Sequence, residues 1–209
     1  MKEKIVVLNS GGFDSVCLCH WVRDNYPDAE LHSLHFEYGN RNRIMETHCA
    51  KKVCRKLGMI SHNVKIPKIT WTRSTLYGRK HSDETGDAQY LEYRNLIFLS
   101  YAASLAQSIG SHKIFLAVIR PIEGHGYIDC SGEFFNNLEK VLSDAEISIE
   151  TPFIDMDKWD FKEIAKRHHV TTNDFFSCNE PDLFGLLPCG RCPDCLAVEE
   201  FSEYLNETH

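Results

Sequence analysis

A parallel β-sheet covered by helices on both faces, a three-layer α/β fold, is what this chain's pattern predicts. Three observations carry that expectation. Short apolar runs alternate with segments of helical periodicity, the signature of strand–helix–strand units. The first run, Ile5-Val6-Val7, passes through Ser10-Gly11-Gly12 straight into a helix start. That first run is unbroken by polar residues, as a strand buried on both faces requires. With 209 residues, 43% of them hydrophobic, the chain can bury one core, and residues 1–209 are expected to form a single domain.

Residues 4–9 read as the first strand and 14–25 as the first helix, stopped before Pro27 and capped by Asp14 or Ser15. Residues 31–36 form the second strand, closed by the loop Glu37-Tyr38-Gly39-Asn40. Met45, Cys49, Val53 and Leu57 recur at i+4 steps, so 42–57 is a helix with Gly58 as its C-cap. A third strand spans 60–66. Residues 68–92 are polar and aperiodic, which suits a functional loop or lid and a disordered segment equally. An apolar helix covers 94–109 and stops at Gly110. The fourth strand is 113–119, the next helix 131–146, and Pro152-Phe153-Ile154 a short fifth strand. A helix near 160–169 opens with Asp160, and Glu163 stands at capping-box spacing. In such sheets ligands sit beyond the carboxyl ends of the strands. The segments Asn9–Asp14, Glu37–Arg43 and Arg120–Asp129 therefore hold the chemistry.

Net charge is −7, which argues against a broad nucleic-acid surface. No stretch reaches the roughly 18 apolar residues of a membrane span. Met1-Lys2-Glu3-Lys4-Ile5 lacks the apolar core of a secretory signal, so a cytoplasmic location is expected. Nine cysteines, an odd number, argue against a disulfide framework. Cys17, Cys19, Cys49, Cys54 and Cys130 fall in apolar segments and read as small core residues.

Two adjacent glycines before a helix let main-chain N–H groups converge on an anion at the positive helix end. The Ser10–Ser15 loop is neither a Walker loop nor Gly-x-Gly-x-x-Gly, and by itself it also suits an ordinary βα turn. The tail is more specific. Cys178, Cys189, Cys192 and Cys195 follow C-x10-C-x2-C-x2-C, with turn residues Gly190 and Pro193 between them. Four thiolates suit structural, tetrahedral Zn²⁺; an iron–sulfur cluster is the rival, though the C-x3-C-P ending is missing. Arg94 and Asn95 open a helix, where Arg can fork onto a carboxylate or phosphate or simply face water. Asp129 could hold a substrate amino group or a metal, or cap the helix that follows it. His125, between two glycines, is a proton shuttle or plain loop, and Arg41 and Arg43 meet phosphate or solvent.

Together these pieces resemble a known family. Ser10-Gly11-Gly12-Phe13-Asp14-Ser15 is similar to the pyrophosphate loop of adenylating ATP pyrophosphatases. Phe36-Glu37-Tyr38-Gly39-Asn40-Arg41 resembles their Phe-Asp-Tyr-Gly-Gln-Arg loop, and Tyr93-Arg94-Asn95 their Gly-Arg-Asn helix start. Gly126-Tyr127-Ile128-Asp129-Cys130 resembles Gly-Tyr-Pro-Asp-Cys. In this order, with the four-cysteine tail, they resemble the 7-cyano-7-deazaguanine synthases of the queuosine pathway. The resemblance implies a Rossmann-like sheet of the adenine nucleotide alpha hydrolase type with a small zinc motif at 178–195. It implies an ATP-dependent C–N ligase acting on a deazapurine acid and ammonia, with ATP, Mg²⁺ and Zn²⁺. Leu8, Asn9, Ser10, Gly11, Gly12, Phe13, Asp14, Ser15, Val16, Cys17 and Leu18 would form the nucleotide site. Ser10, Asp14, Ser15, Arg94, Asn95 and Asp129 would be catalytic, and Cys178, Cys189, Cys192 and Cys195 would bind zinc.

Departures from the family pattern surround the substrate rather than the ATP loop. Phe13 replaces Gln, Glu37 replaces Asp, Glu92-Tyr93 replaces Pro-Gly, and the first cysteine interval is longer. A divergent ligase that stops at the amide, or passes the acyl group to another amine, including one on a protein, is the alternative within enzymes. A zinc-stabilised nucleotide- or RNA-binding module is the alternative from another class. A homodimer is also compatible with the pattern.

Overall fold

The computed structural model describes residues 2–72, 74–77, 90–120, 127–157 and 160–207. Five strands, β1 (Lys4–Leu8), β2 (Glu30–Glu37), β3 (Ile60–Lys65), β4 (Lys113–Phe115) and β5 (Ser148–Glu150), form one sheet in the order β3-β2-β1-β4-β5. Every neighbouring pair is parallel. Six α-helices connect and flank them: α1 (Phe13–Asn25), α2 (Arg43–Leu57), α3 (Arg94–Ile109), α4 (Gly132–Val141), α5 (Lys162–Arg167) and α6 (Pro193–Glu207). The expected three-layer α/β architecture is present.

β1 shows why the first run is continuous. Ile5 and Val7 face one core with α1, α5 and Phe201 of α6, while Val6 faces the other with Leu99, Ala102 and Ala106 of α3. All three strand residues are fully buried, each worth about 1.5–3 kcal/mol against exposure. Ile69, Leu76, Tyr77 and Leu91, from the aperiodic 68–92 segment, pack into the α3-side core. Residues 78–89 of that segment lie outside the described residues, as do 121–126 with His125. Among the described residues no helix is long and apolar enough to cross a membrane.

Several expected boundaries moved for identifiable reasons. The N-cap of α1 is Gly12, not Asp14 or Ser15. Ser15 sits inside the first turn, where its hydroxyl takes the Gly11 N–H and donates to the Gly12 carbonyl. β4 ends at Phe115 rather than 119, because its register with β1 stops where Phe115 stands opposite Val7. The fifth strand is Ser148–Glu150, not Pro152-Phe153-Ile154. Pro152 has no ladder donor, and Phe153 is instead fully buried against Phe161, ring centroids 4.6 Å apart. α4 stops at Val141, and a 3₁₀ turn over Ser143–Ala145 replaces its expected last turn. α5 begins at Lys162 behind Phe161 with no side-chain cap, since Asp160 is taken by the Asp157 N–H. Helix α6 was not anticipated, although Pro193 stands at its favoured first position.

Candidate functional site

Strand order reverses direction between β1 and β4, and a cleft of about 290 Å³ opens at their carboxyl ends. Asn9 is its keystone. Buried to 1% exposure, it donates from Nδ2 to Ser33 Oγ and the Ala50 carbonyl and accepts the Gly11 N–H on Oδ1. His35 Nδ1 bonds its carbonyl at 2.9 Å. The bend after β1 is thereby tied to β2 and α2.

The loop's amides are already partnered, by neutral acceptors. The Gly11 N–H is shared between Asn9 Oδ1 and Ser15 Oγ at 3.1 Å each. The Gly12 N–H donates to Ser10 Oγ at 3.2 Å. The Phe13 N–H donates to Ser177 Oγ at 3.3 Å, from 164 residues along the chain. A phosphate oxygen, being charged, outcompetes a hydroxyl for such donors.

Of the sequence-derived nucleotide residues, Leu8, Asn9, Ser10, Gly12, Phe13, Asp14 and Ser15 line the cleft. Val16, Cys17 and Leu18 do not reach it; they point into the core at 1% exposure or less. Gly11 lies beneath the loop, pressed against α2 at a positive φ of 84°.

Arg94 and Asn95 line the cleft as expected. Arg94 Nη1 donates to the Tyr38 hydroxyl at 3.3 Å, and burial pushes that phenol up to about 12 despite the guanidinium beside it. Asp129 is not a cleft-lining side chain. Buried to 2% exposure, its Oδ2 accepts the Asn95 N–H at 2.9 Å, while Asn95 Nδ2 donates to the Asp129 carbonyl. It caps α3, the helix before it in sequence; α4 is capped by Ser131, which accepts the Phe134 N–H. Arg41 and Arg43 serve the loop itself, donating to the carbonyls of Pro181 and Asn40.

Four residues that sequence reasoning did not single out complete the wall: Glu46, Ser177, Asn179 and Asp194. Glu46 accepts from Asn40 Nδ2 at 2.6 Å and Asn42 Nδ2 at 2.9 Å. Burial raises its carboxyl to about 7, against the opposing pull of the Asn40 hydrogen bond and of Arg94. Asn179 Nδ2 donates to Asp194 Oδ2 at 2.7 Å. Among the described lining residues, Asp14, Glu46 and Asp194 face a single cationic side chain, Arg94.

The four tail cysteines converge. One sulfur from each of Cys178, Cys189, Cys192 and Cys195 lies within 4.8 Å of the others, and Cys189 and Cys195 are 3.9 Å apart. Zinc–sulfur bonds of about 2.3 Å in a tetrahedron place sulfurs about 3.8 Å apart, so the cluster fits one tetrahedral ion. The Cys189 N–H points at Cys178 Sγ and the Cys192 N–H at Cys189 Sγ, each at 3.3 Å, the donors a thiolate site requires. Cys17, Cys19, Cys49 and Cys54 are buried, as expected, whereas Cys130 is only partly buried, its sulfur accepting from Asn95 Nδ2 at 3.3 Å.

Residues 4–204 match the family described as queuosine biosynthesis protein QueC. The chain is similar to a 7-cyano-7-deazaguanine synthase of Leptospira interrogans, 34% identical over 93% of this chain and 84% of that protein. Proteins of the same name from Clostridium kluyveri, 30% identical over 96% and 94%, and Campylobacter jejuni, 29% identical over 94% and 92%, are also similar. Among solved structures, an NMN synthetase from Francisella tularensis shares the fold, with a TM-score of 0.53 at 17% identity over 99% of this chain and 78% of that one.

Proposed function

The chain belongs to the QueC family of queuosine biosynthesis proteins, and from that premise we propose that it is an ATP-dependent ligase making 7-cyano-7-deazaguanine. The observation that carries the reading is the shared cleft. It joins a glycine-turned loop at the positive end of α1 to Arg94 and Asn95, at the point where the sheet order reverses.

A carboxylate resists attack by ammonia because it is a poor electrophile. In the proposed first step a carboxylate oxygen of 7-carboxy-7-deazaguanine attacks the α-phosphorus of ATP, and the bond to pyrophosphate breaks. The nitrogen lone pair of ammonia then attacks the acyl carbon, and AMP leaves with the C–O bond, giving the amide. A second ATP takes up the amide oxygen in the same way. Departure of AMP, with loss of the nitrogen's protons, leaves the nitrile.

The chain's part is to hold these groups. The N–H groups of Gly12 and Phe13 pass from serine hydroxyls to phosphate oxygens, and Ser10 and Ser177 are then free to donate to them, while Ser15 holds the Gly11 N–H and the Gly12 carbonyl in place. Arg94, oriented by Tyr38, faces the acid or its acyl phosphate. Asp129 keeps Asn95 and the start of α3 in place. Asp14 and Asp194 are the carboxylates that would hold Mg²⁺, which shields the triphosphate and stabilises charge on departing pyrophosphate. Zn²⁺ at the four cysteines would be structural, with closed coordination.

A second reading, transfer of the acyl group to another amine, including one on a protein, draws on Tyr93. That residue is 46% exposed next to the cleft-lining Arg94, where the family pattern has a glycine. Mass spectrometry after incubation with ATP, ammonium and 7-carboxy-7-deazaguanine separates nitrile, amide, adenylate and no reaction. Nitrile is the expected product, and Asp14→Ala is expected to abolish pyrophosphate release with the fold intact. Release at the parent rate by that variant would remove the loop from the mechanism.

A further inference from the structure

We propose that Ser177 is a positioning residue that couples metal occupancy of the four-cysteine knuckle to nucleotide binding at the loop after β1. The inference rests on the nucleotide reading above and adds to it a role for the tail that a purely structural staple would not have.

The geometry is direct. Ser177 stands next to the metal ligand Cys178, and its hydroxyl accepts the first N–H of α1 at 3.3 Å. One residue earlier, the Phe176 N–H donates to the Gly11 carbonyl at 2.9 Å. Phe176 and Ser177 thus run along the phosphate loop as a wall of the cleft. That wall is thin. On its other side a hollow of about 770 Å³ opens between α2 and α6, lined by Met45 and Val198 and by the same Phe176, Ser177 and Cys178. The wall is backed only by the small cluster of Cys49, Phe176, Cys178 and Cys192 rather than by either main core, and its far end is fixed where Cys178 joins the other three sulfurs. A second tie runs the same way: Asn179 donates to Asp194, which lies between the ligands Cys192 and Cys195.

Two consequences follow. With the knuckle closed around its ion, Ser177 Oγ holds the Phe13 N–H aimed into the cleft. An arriving phosphate oxygen takes that N–H, and the hydroxyl turns to donate to the same anion. With the knuckle open, the wall loses its far attachment and the loop loses this acceptor. Nucleotide and metal then stabilise one another by the same factor in each direction. One charge-assisted hydrogen bond corresponds to roughly a tenfold change in affinity.

The test uses the zinc-loaded full chain with α,β-methylene-ATP and excess Mg²⁺, and first measures nucleotide affinity by calorimetry. Zinc affinity is then read by equilibrium competition with a chromogenic chelator, with and without the nucleotide. The expected result is a roughly tenfold rise in apparent zinc affinity when nucleotide is bound. Ser177→Ala should abolish the rise while binding zinc as the parent does without nucleotide, and Ser177→Thr should restore it. Parent protein that binds nucleotide with no change in zinc affinity overturns the inference and leaves the nucleotide reading standing, as does coupling that survives in Ser177→Ala. Parent protein that binds no nucleotide overturns both.

Discussion

Gly11→Ala and Gly12→Ala, adjacent and alike in sequence, should behave as opposites. Gly11 has φ +84°, and a Cβ built on it would lie 2.1 Å from the carbonyl oxygen of Glu46, 2.9 Å from its carbon and 3.0 Å from the Ala50 nitrogen. These are backbone atoms of α2, so no rotamer relieves the contact. Restoring an ordinary separation of about 3.4 Å requires α2 to retreat by about 1.3 Å. Left-handed strain contributes about 1–2 kcal/mol and overpacking about 1–3 kcal/mol, so a loss of about 2–5 kcal/mol is expected. The same clash pushes the loop off α2 and misplaces the neighbouring Gly12 and Phe13 N–H groups, so nucleotide affinity should fall too. Gly12 is extended, with φ −79° and ψ 167°. Its Cβ would meet the rotatable Ser10 hydroxyl at 3.3 Å, so Gly12→Ala should stay within about 0.5 kcal/mol of the parent in stability. Chemical denaturation of the metal-loaded proteins, with calorimetric titration of α,β-methylene-ATP, reads both effects. Parent-like stability in Gly11→Ala, or greater damage from Gly12→Ala, would refute the packing of this loop against α2.

Three further outcomes are expected. Tyr93 precedes α3 in the left-handed region, φ 52°, so Tyr93→Gly should be more stable than Tyr93→Val by at least about 1 kcal/mol in denaturant titrations; equal stabilities would contradict that backbone. Asp129→Ala leaves the Asn95 N–H without its acceptor and should cost about 1–3 kcal/mol; an inactive variant of undiminished stability would instead make Asp129 a ligand of substrate. Burial, with His168 stacked 4.5 Å away, lowers His20 to about 4 from an ordinary 6.5. The unfolded chain therefore takes up that proton first, and stability is full above about pH 6.5 and falls as pH drops toward 4. The loss should reach on the order of 2 kcal/mol by pH 5, and His20→Leu, followed by denaturation at pH 7 and pH 5, should show a correspondingly smaller decline.

What the residues determined alone is local or periodic. Alternating runs set a parallel α/β sheet because strand and helix differ in hydrophobic period. Ser10-Gly11-Gly12 placed a phosphate-type bend after the first strand, and C-x10-C-x2-C-x2-C marked four ligands for one ion, since short spacings constrain geometry before any packing is known. Tertiary structure decided the rest. It distinguished Gly11, crushed against α2, from Gly12, which is not. It turned Asp129 back to cap α3 and chose Ser148–Glu150 over the more apolar Pro152-Phe153-Ile154 for the fifth strand. It also brought Glu46, Ser177, Asn179 and Asp194 to one cleft. The Phe13–Ser177 and Asn42–Asn179 hydrogen bonds span 164 and 137 positions. No window of sequence contains both ends of such a contact, and only the closing of the sheet and the knuckle brings them within reach.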